Sequence, residues 1–184
     1  MGTSKSNRAP TGDDFAIKAL VILVAIAAFG AQADTLTGRV VSVADGDTIT
    51  VLDADRQQHK IRLAGIDAPE KGQPFGQKSK ECMSDLVYGK EVRVEGDKRD
   101  RYGRTVAKVW VTPADCPKCD KTLDAGLAML TVGLAWHYKK YQNEQTPEDR
   151  GRYAFAEDEA RAKHVGLWAD ADPTPPWDWR KTNR

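Results

Sequence analysis

Residues 36–66 read LTGRVVSVADGDTITVLDADRQQHKIRLAGI and carry the clearest two-residue periodicity in the chain. Val, Ile and Thr recur at alternate positions, which is typical of strands that bury one face. Asp45-Gly46 and the polar run 53–58 interrupt the pattern as turns. Three strands are therefore predicted, at 36–43, 48–52 and 59–66. Because tight turns join them, this stretch predicts an antiparallel meander.

Two more strands and three helices are predicted beyond this stretch. The strands are at 91–95 (EVRVE) and 105–111 (TVAKVWV). The helices are predicted over 74–87, from Thr122 as N-cap to Gly133, and from Pro147 to about His164. This order favours a β-rich α+β fold, a five-stranded Greek-key barrel of the OB type with about three α-helices packed on it. Periodicity alone leaves an SH3-like barrel or another α+β arrangement open.

The N-terminus has the three parts of a secretory signal peptide. Basic residues precede an apolar run at 19–29, and the small-x-small sequence AQA ends at Ala33. The run is shorter than the roughly 20 residues that a membrane-spanning helix needs. We expect cleavage after Ala33, export to the periplasm or the medium, and no stable membrane association afterwards. An uncleaved N-terminal anchor is the minority alternative.

Beyond a signal peptide at 1–33, one domain is expected at 34–168, followed by a Pro/Trp-rich tail at 169–184. We expect the tail to lack a regular helix and to pack its tryptophans on the domain. The chain has 40% apolar and 30% charged residues, as in water-soluble globular proteins. A net charge of +1 does not exclude a polyanionic partner, because basic residues can gather in one cleft. A monomer is the default expectation at this length.

The three cysteines allow several interpretations. Cys116 and Cys119 form a C-x-x-C motif in a polar loop. A thioredoxin-like redox pair needs a βαβ unit, and a zinc site needs further ligands that only Cys82 and scattered histidines offer. A local disulfide with Cys82 free and buried is the favoured interpretation, because disulfides persist in exported proteins.

Acidic residues lie where two of the predicted strands begin and end. Asp47 precedes the second strand, and Asp67 follows the third. If these strands pair antiparallel, the two carboxylates face each other and form a hard oxygen site suited to Ca²⁺ or Mg²⁺. Pro69 favours an extended backbone at Ala68, which directs the Ala68 carbonyl toward the same ion. The alternative is that Asp45-Gly46 is only a hairpin turn.

Arginines accompany these carboxylates. Arg62 lies on the third strand, and Arg104 lies in the loop sequence DRYGR between the last two strands. Either arginine can serve as a structural ion-pair partner or as a forked donor to phosphate. Glu70 follows at the lip, where it can hold or deprotonate a water molecule. A metal, guanidinium groups and a carboxylate are what phosphodiester hydrolysis requires.

Three elements in this order, DGDT at 45–48, RLAGIDAPE at 62–70 and DRYGR at 100–104, resemble the thermonuclease family of staphylococcal-nuclease-like OB-fold enzymes. The resemblance extends from about residue 37 to 168. It implies Ca²⁺-dependent endonucleolytic cleavage of DNA and RNA with little sequence specificity, which leaves 3′-phosphate ends.

The resemblance also implies a role for individual residues. The metal ligands are Asp47, Asp67 and the carbonyl of Ala68. The catalytic residues are Arg62, Glu70 and Arg104, with Glu70 as general base or as water-positioning group. The substrate-binding residues are Arg101, Tyr102, Tyr138 and Tyr141. This chain departs from the family pattern in the spacing of the last two tyrosines, in Ala68, which replaces a Thr, and in the C-x-x-C motif.

Two other functions remain open from the sequence. One is a catalytically inactive OB-type module that binds nucleic acid or protein. The other is a calcium-stabilised structural domain in which the arginines only form ion pairs. Retention of the carboxylates and both arginines favours the nuclease.

Overall fold

The computed structural model describes residues 1–2 and 35–183. The expected signal peptide at 1–33 therefore lies almost wholly outside the described residues, and its cleavage stays a prediction. Among the residues that are described, no helix is both long enough and apolar enough to cross a membrane.

Residues 35–183 form eight strands and four α-helices. The strands are β1 Thr35–Val43, β2 Thr48–Leu52, β3 Gln58–Leu63, β4 Ile66–Asp67, β5 Glu91–Glu95, β6 Thr105–Val111, β7 Leu123–Asp124 and β8 Trp136–His137. The α-helices are α1 Gly76–Val87, α2 Ala125–Thr131, α3 Pro147–Ala162 and α4 Pro176–Thr182. Short 3₁₀ segments cover Lys139–Glu144 and Gly166–Ala169.

Five of these strands close into a barrel. Antiparallel neighbours run in the order β3-β2-β1-β5-β6, and β3 also pairs with β6 in parallel. The mixed sheet therefore has no free edge between these strands, which protects their backbone groups from other chains. Helices pack on the barrel, so the predicted OB-type α+β fold is confirmed.

The barrel interior is filled by alternate residues of the strands. Ile49, Val51, Ile61, Val92 and Val109 are each 0% exposed. Within a strand the buried residues are two positions apart, as Ile49 and Val51 are, because successive side chains of a strand point to opposite faces. From the helices, Met83 and Val87 of α1 and Met129 and Leu130 of α2 pack into the same core.

The predicted strand at 59–66 is interrupted. β3 ends at Leu63, and Ile66 and Asp67 form the separate strand β4, which pairs with β8. Gly65 makes the turn between them with φ of 75°, a left-handed conformation that favours glycine. The prediction of one continuous strand was wrong because local periodicity does not contain the long-range pairing with β8.

The predicted start of the second helix was also wrong. The cap of α2 is Asp124 and not Thr122, because the Asp124 carboxylate accepts hydrogen bonds from the amides of Gly126 and Leu127. A carboxylate in this position satisfies amide groups that have no partner within the helix.

The C-terminal tail contains a helix, contrary to expectation. Pro175 precedes α4 and Pro176 occupies its first turn. Proline is favoured there because its fixed φ suits a helix. Its lack of an N–H costs nothing in the first turn, where amide groups have no acceptor within the helix. Trp177 does pack back on the domain, because its ring contacts Trp136 edge-on with 5.5 Å between ring centroids. The sequence interpretation treated the prolines as helix breakers when they mark a helix start.

The cysteine prediction is confirmed for the pair. Cys116 and Cys119 form a disulfide across the loop between β6 and β7, and Cys82 is free. Cys82 is half-buried on α1 and not fully buried.

Candidate active site

Arg62 joins the two predicted metal ligands. Its Nη1 lies 2.6 Å from Asp47 Oδ2, and its Nη2 lies 2.9 Å from Asp67 Oδ1. The register of β2 against β3 places Arg62 opposite Thr48, the residue after Asp47. Asp67 lies on β4, and its carboxylate contacts the same guanidinium. The two carboxylates therefore converge as predicted, but Asp67 belongs to β4 and not to the end of the third strand. Asp47 and Asp67 are 4% and 1% exposed, so water screens these charges weakly.

The Asp47 carboxylate is held by several donors. The amide of Ala68 donates to Oδ2 at 2.9 Å, and the hydroxyl of Thr48 donates to Oδ1 at 2.8 Å. Burial opposes ionisation of Asp47, but the Arg62 charge and these hydrogen bonds outweigh burial and hold the pKa of Asp47 below its usual value. Asp47 is therefore a fixed negative charge at neutral pH.

The pKa values of two neighbouring carboxylates are raised. Burial, together with the charge of Asp47, raises the pKa of Asp45 to about 6. Burial also raises the pKa of Asp67, against the opposing influence of its arginine partners. Burial therefore makes both carboxylates harder to ionise, although arginines lie beside Asp67.

The turn that carries Asp47 packs directly on helix α1. A Cβ atom at Gly46 would lie 1.9 Å from the hydroxyl oxygen of Ser79 and 2.8 Å from Cβ of Ala68. Ser79 is fully buried on α1 and donates to the carbonyl of Leu134. Glycine is therefore required at position 46 by close packing, which makes Asp45-Gly46 more than a hairpin turn.

Arg104 reaches the same cluster through Thr48. Its Nε binds Asp100 Oδ2 at 2.7 Å, and its Nη1 lies 3.3 Å from the Thr48 hydroxyl, which itself donates to Asp47. Asp100 also accepts from the amides of Tyr102 and Arg104, which fixes the loop. Both predicted catalytic arginines thus lie at one mouth of the barrel.

The predicted substrate-binding residues fall into two groups beside these arginines. Tyr102 is 68% exposed, and the guanidinium groups of Arg101 and Arg104 lie 4.8 and 5.4 Å from its ring centroid. Tyr138 lies 5.9 Å from the Arg62 guanidinium and 5.2 Å from the ring of Tyr141. Each arginine therefore has an aromatic ring next to it.

A residue that sequence analysis missed completes the cluster. Arg180 of α4 binds Asp67 Oδ2 through Nη2 at 2.6 Å, and its Nη1 lies 2.6 Å from Glu70 Oε1 and 3.2 Å from Asp67 Oδ1. Glu70 is therefore linked to Asp67 by one guanidinium. The only sequence signal was a basic residue within a tail expected to pack on the domain.

The oxygen donors here fit a hard divalent cation. Asp47 and Asp67 offer carboxylates, the ligands that Ca²⁺ and Mg²⁺ prefer. Guanidinium groups bond both oxygens of Asp67, so positive charge already lies against this carboxylate. Between residues 35 and 183, no group of three His, Cys, Asp or Glu side chains forms a ready-made metal cage. An ion held here therefore needs backbone or water oxygens as well.

Comparison with known proteins agrees with this geometry. The family model described as "Staphylococcal nuclease homologue" matches residues 60–170. The chain is 41% identical over 165 residues to an uncharacterized endonuclease of Haemophilus influenzae, covering 90% of this chain and 83% of the relative. It is 40% identical over 167 residues to the micrococcal nuclease of Shigella flexneri, covering 90% of each protein. It is 38% identical over 128 residues to the staphylococcal-like nuclease CAN1 of Arabidopsis thaliana, covering 70% of this chain and 35% of the relative.

The closed barrel with carboxylates and arginines at one mouth, taken with these relatives, defines a nuclease, a hydrolase that acts on ester bonds. The chain belongs to the staphylococcal nuclease homologue family, and the resemblance seen in the sequence is confirmed.

Proposed function

We propose that this nuclease is Ca²⁺-dependent, cleaves both DNA and RNA endonucleolytically, leaves 3′-phosphate ends and is exported. The observation that carries the proposal is the bridge from Arg62 to both Asp47 and Asp67, because it gathers a guanidinium and two buried carboxylates at one point. Membership of the family supports the choice of substrate and metal.

Asp47, Asp67 and the carbonyl of Ala68 would hold the ion. When bound, Ca²⁺ supplies charge that polarises a phosphoryl oxygen and stabilises negative charge in the transition state. Calcium accepts carboxylate, carbonyl and water oxygens in flexible numbers, which suits a site with only two buried side-chain ligands.

Arg62 and Arg104 would donate hydrogen bonds to the scissile phosphate. A guanidinium presents a planar fork that matches two phosphate oxygens. Arg62 is oriented by its carboxylate partners, and Arg104 is oriented by Asp100. Donors held in advance stabilise the developing charge without reorganising during the reaction, and loss of one such donor costs about 3–4 kcal/mol.

Glu70 would act on the attacking water. Its side chain is 37% exposed, against 1% for Asp67, so it lies at the opening of the pocket. From there its carboxylate can accept a proton from water or hold the water in line with the phosphate. This contribution is about 10²–10⁴-fold for a well-placed general base.

The aromatic residues would cover the nucleotide. Tyr102, Tyr138 and Tyr141 offer ring faces on which any base can stack, which accounts for weak sequence preference. Arg101, exposed beside Tyr102, would contact the phosphate backbone.

Export and organisation are part of the proposal. The signal-peptide pattern at 1–33 supports export, and the bond between Cys116 and Cys119 supports an oxidising compartment. The exported protein would be a monomer with a barrel domain at 34–168 and a C-terminal segment at 169–184.

The test uses the mature protein with linear DNA and with RNA, in Ca²⁺ or in excess chelator. We expect cleavage only with Ca²⁺, products with 3′-phosphate ends, and a loss of about 10²–10⁴-fold in Glu70→Gln. Glu81→Gln is the matched control, because Glu81 is an exposed carboxylate on α1 that accepts only a local bond from Gln77.

The outcomes separate the candidate functions. Cleavage that persists in chelator contradicts the metal assignment, and full activity in Glu70→Gln contradicts the role of Glu70. Tight nucleic-acid binding without cleavage in any metal would instead support the inactive OB-type module.

A further inference from the structure

The C-terminal helix α4 contacts two separate parts of the candidate active site. Arg180 binds the carboxylates of Asp67 and Glu70. Three residues earlier, Trp177 lies on the ring of Tyr138, with ring centroids 5.6 Å apart and planes inclined by 21°. We propose that α4 is an intramolecular plug that occupies the cation position with Arg180 and the base-stacking face with Trp177. This inference rests on the proposed function, since it assigns α4 to the ligands of that same site.

The Arg180 guanidinium occupies the space between the proposed metal ligand and the water-handling carboxylate. Asp67 receives bonds from Arg180 on both of its oxygens, and Arg62 also donates to Oδ1. Calcium binds carboxylate oxygen at 2.3–2.6 Å. An ion on Asp67 Oδ2 would therefore lie close to the positive Nη2 that is already 2.6 Å from that oxygen. Two cations at such a distance repel strongly in a buried site, so binding of the ion on Asp67 Oδ2 requires Arg180 to leave that oxygen.

Trp177 covers an aromatic face that nucleic acid would use. Tyr138 stacks on Trp177 and lies beside Arg62, so a nucleotide whose phosphate binds Arg62 would bring its base near that ring. The indole is an aromatic plane in near-parallel stacking, the arrangement that a base adopts on tyrosine. Trp177 and a stacked base on that face of Tyr138 are therefore mutually exclusive.

The attachment of α4 is weak enough to be reversible. The helix has seven residues, and Pro176 is its only buried residue. The side chain of Arg180 is 39% exposed, so water competes for its bonds. The connection before α4 is held by Gln73, whose amide donates to the carbonyl of Thr174 at 2.5 Å. Trp177 packs on Trp136 but is only partly buried, so a segment attached in this way can open without unfolding the barrel.

Calcium and nucleic acid would therefore displace α4 together. When Arg180 leaves, the carboxylates are free to bind the ion. When Trp177 leaves, the ring face of Tyr138 is free to stack on a base. Because each ligand binds only the open form, each lowers the cost of opening for the other. The plug would keep the site closed where calcium or substrate is scarce.

The experiment measures Ca²⁺ affinity by isothermal titration calorimetry, without substrate, for the mature protein and two variants. Arg180→Ala removes the plug contact, and we expect it to bind Ca²⁺ at least tenfold more tightly than the parent. Lys181→Ala is the control, because it removes the same charge from the same helix, but Lys181 pairs with Asp178 at 2.7 Å. We expect the affinity of the control to stay within about twofold of the parent, since an exposed pair contributes little.

A second measurement follows α4 directly. Hydrogen exchange of the parent protein is compared in chelator, in Ca²⁺, and in Ca²⁺ with a phosphorothioate oligonucleotide. We expect the amides of Asp178 and Trp179, which donate to the carbonyl of Pro175, and of Asn183, which donates to Trp179, to exchange faster as the ligands are added. The amides of α3 serve as the internal reference and should not change.

Equal Ca²⁺ affinity in the parent and Arg180→Ala, or weaker affinity in the variant, would overturn the plug while leaving the nuclease proposal intact. Weaker affinity would mean that Arg180 orients Asp67 for the metal. Absence of Ca²⁺ binding in the parent and in both variants would overturn the metal assignment of the proposed function, and the plug with it.

Discussion

Arg62 lies 2.6 Å from Asp47 across the β2–β3 pair, and the side chain of Arg62 is only 14% exposed. The same guanidinium binds Asp67, so one cation separates two buried carboxylates. This relationship makes Arg62 a structural residue as well as the proposed phosphate ligand, and the two roles lead to different expectations for its variants.

We expect Arg62→Ala to destabilise the protein by about 3–5 kcal/mol, because it leaves two buried carboxylates without their shared partner. Urea unfolding in chelator measures the change. Added Ca²⁺ should recover part of the loss in Arg62→Ala, since an ion that binds only the folded state stabilises it. A variant as stable as the parent in chelator would contradict the structural role.

Arg62→Lys tests the phosphate role separately. Lysine keeps the charge between the carboxylates but loses the planar fork. We expect the variant to remain folded, with activity lowered about 10²-fold or more. Activity equal to the parent would show that Arg62 acts only as a structural ion-pair partner.

The packing of Gly46 on α1 predicts that Gly46→Ala is damaging. The new methyl group would meet the Ser79 hydroxyl at 1.9 Å, which forces the turn away from the helix. Overpacking of this kind costs about 1–3 kcal/mol. Since the turn also carries Asp47, Ca²⁺ affinity should fall as well.

Gly72→Ala is the matched control, because a Cβ at Gly72 would have no atom within 4 Å. Thermal unfolding and calcium titration of both variants check the prediction. If the two substitutions have the same effect, the close approach of Gly46 to Ser79 is unimportant.

Tyr153 predicts an alkaline limit to stability. Its buried hydroxyl donates to the Asp124 carboxylate at 2.9 Å, and burial, reinforced by the charge of Asp124, raises the pKa of Tyr153 far above its usual value. In the unfolded chain tyrosine titrates near pH 10. The folded state keeps its proton above that pH while the unfolded state loses one, so the free energy of unfolding falls as pH rises.

Tyr153→Phe removes this titration. We expect the variant to lose about 1 kcal/mol at neutral pH, where the hydrogen bond is lost. Above about pH 10 its stability should fall less steeply than that of the parent. Urea denaturation from pH 8 to 11 measures both slopes, and parallel slopes would be the contrary result.

The exposed ring of Tyr102 predicts a change in substrate affinity. Removal of a base-stacking ring costs about 1–3 kcal/mol of binding, so Tyr102→Ala should raise KM about tenfold with a smaller change in kcat. Tyr102→Phe should be close to the parent, because the ring face is kept. Tyr88→Ala is the control, since Tyr88 is similarly exposed at the end of α1. Steady-state kinetics on a short single strand would refute the assignment if Tyr102→Ala and Tyr88→Ala were alike.

The sequence alone determined the five barrel strands and the local composition of the site. Strand periodicity reports which side of a segment is buried, and that alternation survives folding because side chains point to opposite faces. Asp47, Arg62 and Asp67 were identifiable because each belongs to a short motif, and the motifs lie close together in the chain.

Tertiary structure decided the features that depend on distant partners. Residues 66 and 67 form a separate strand because they pair with β8. Asp124 caps α2 because its carboxylate lies within hydrogen-bond distance of the first amides of that helix. Arg180 binds Asp67 from 113 residues away, and no local pattern encodes such a contact. Propensity and periodicity record how a residue relates to its near neighbours, whereas charge pairing across a cleft depends on where the folded chain brings the two residues together.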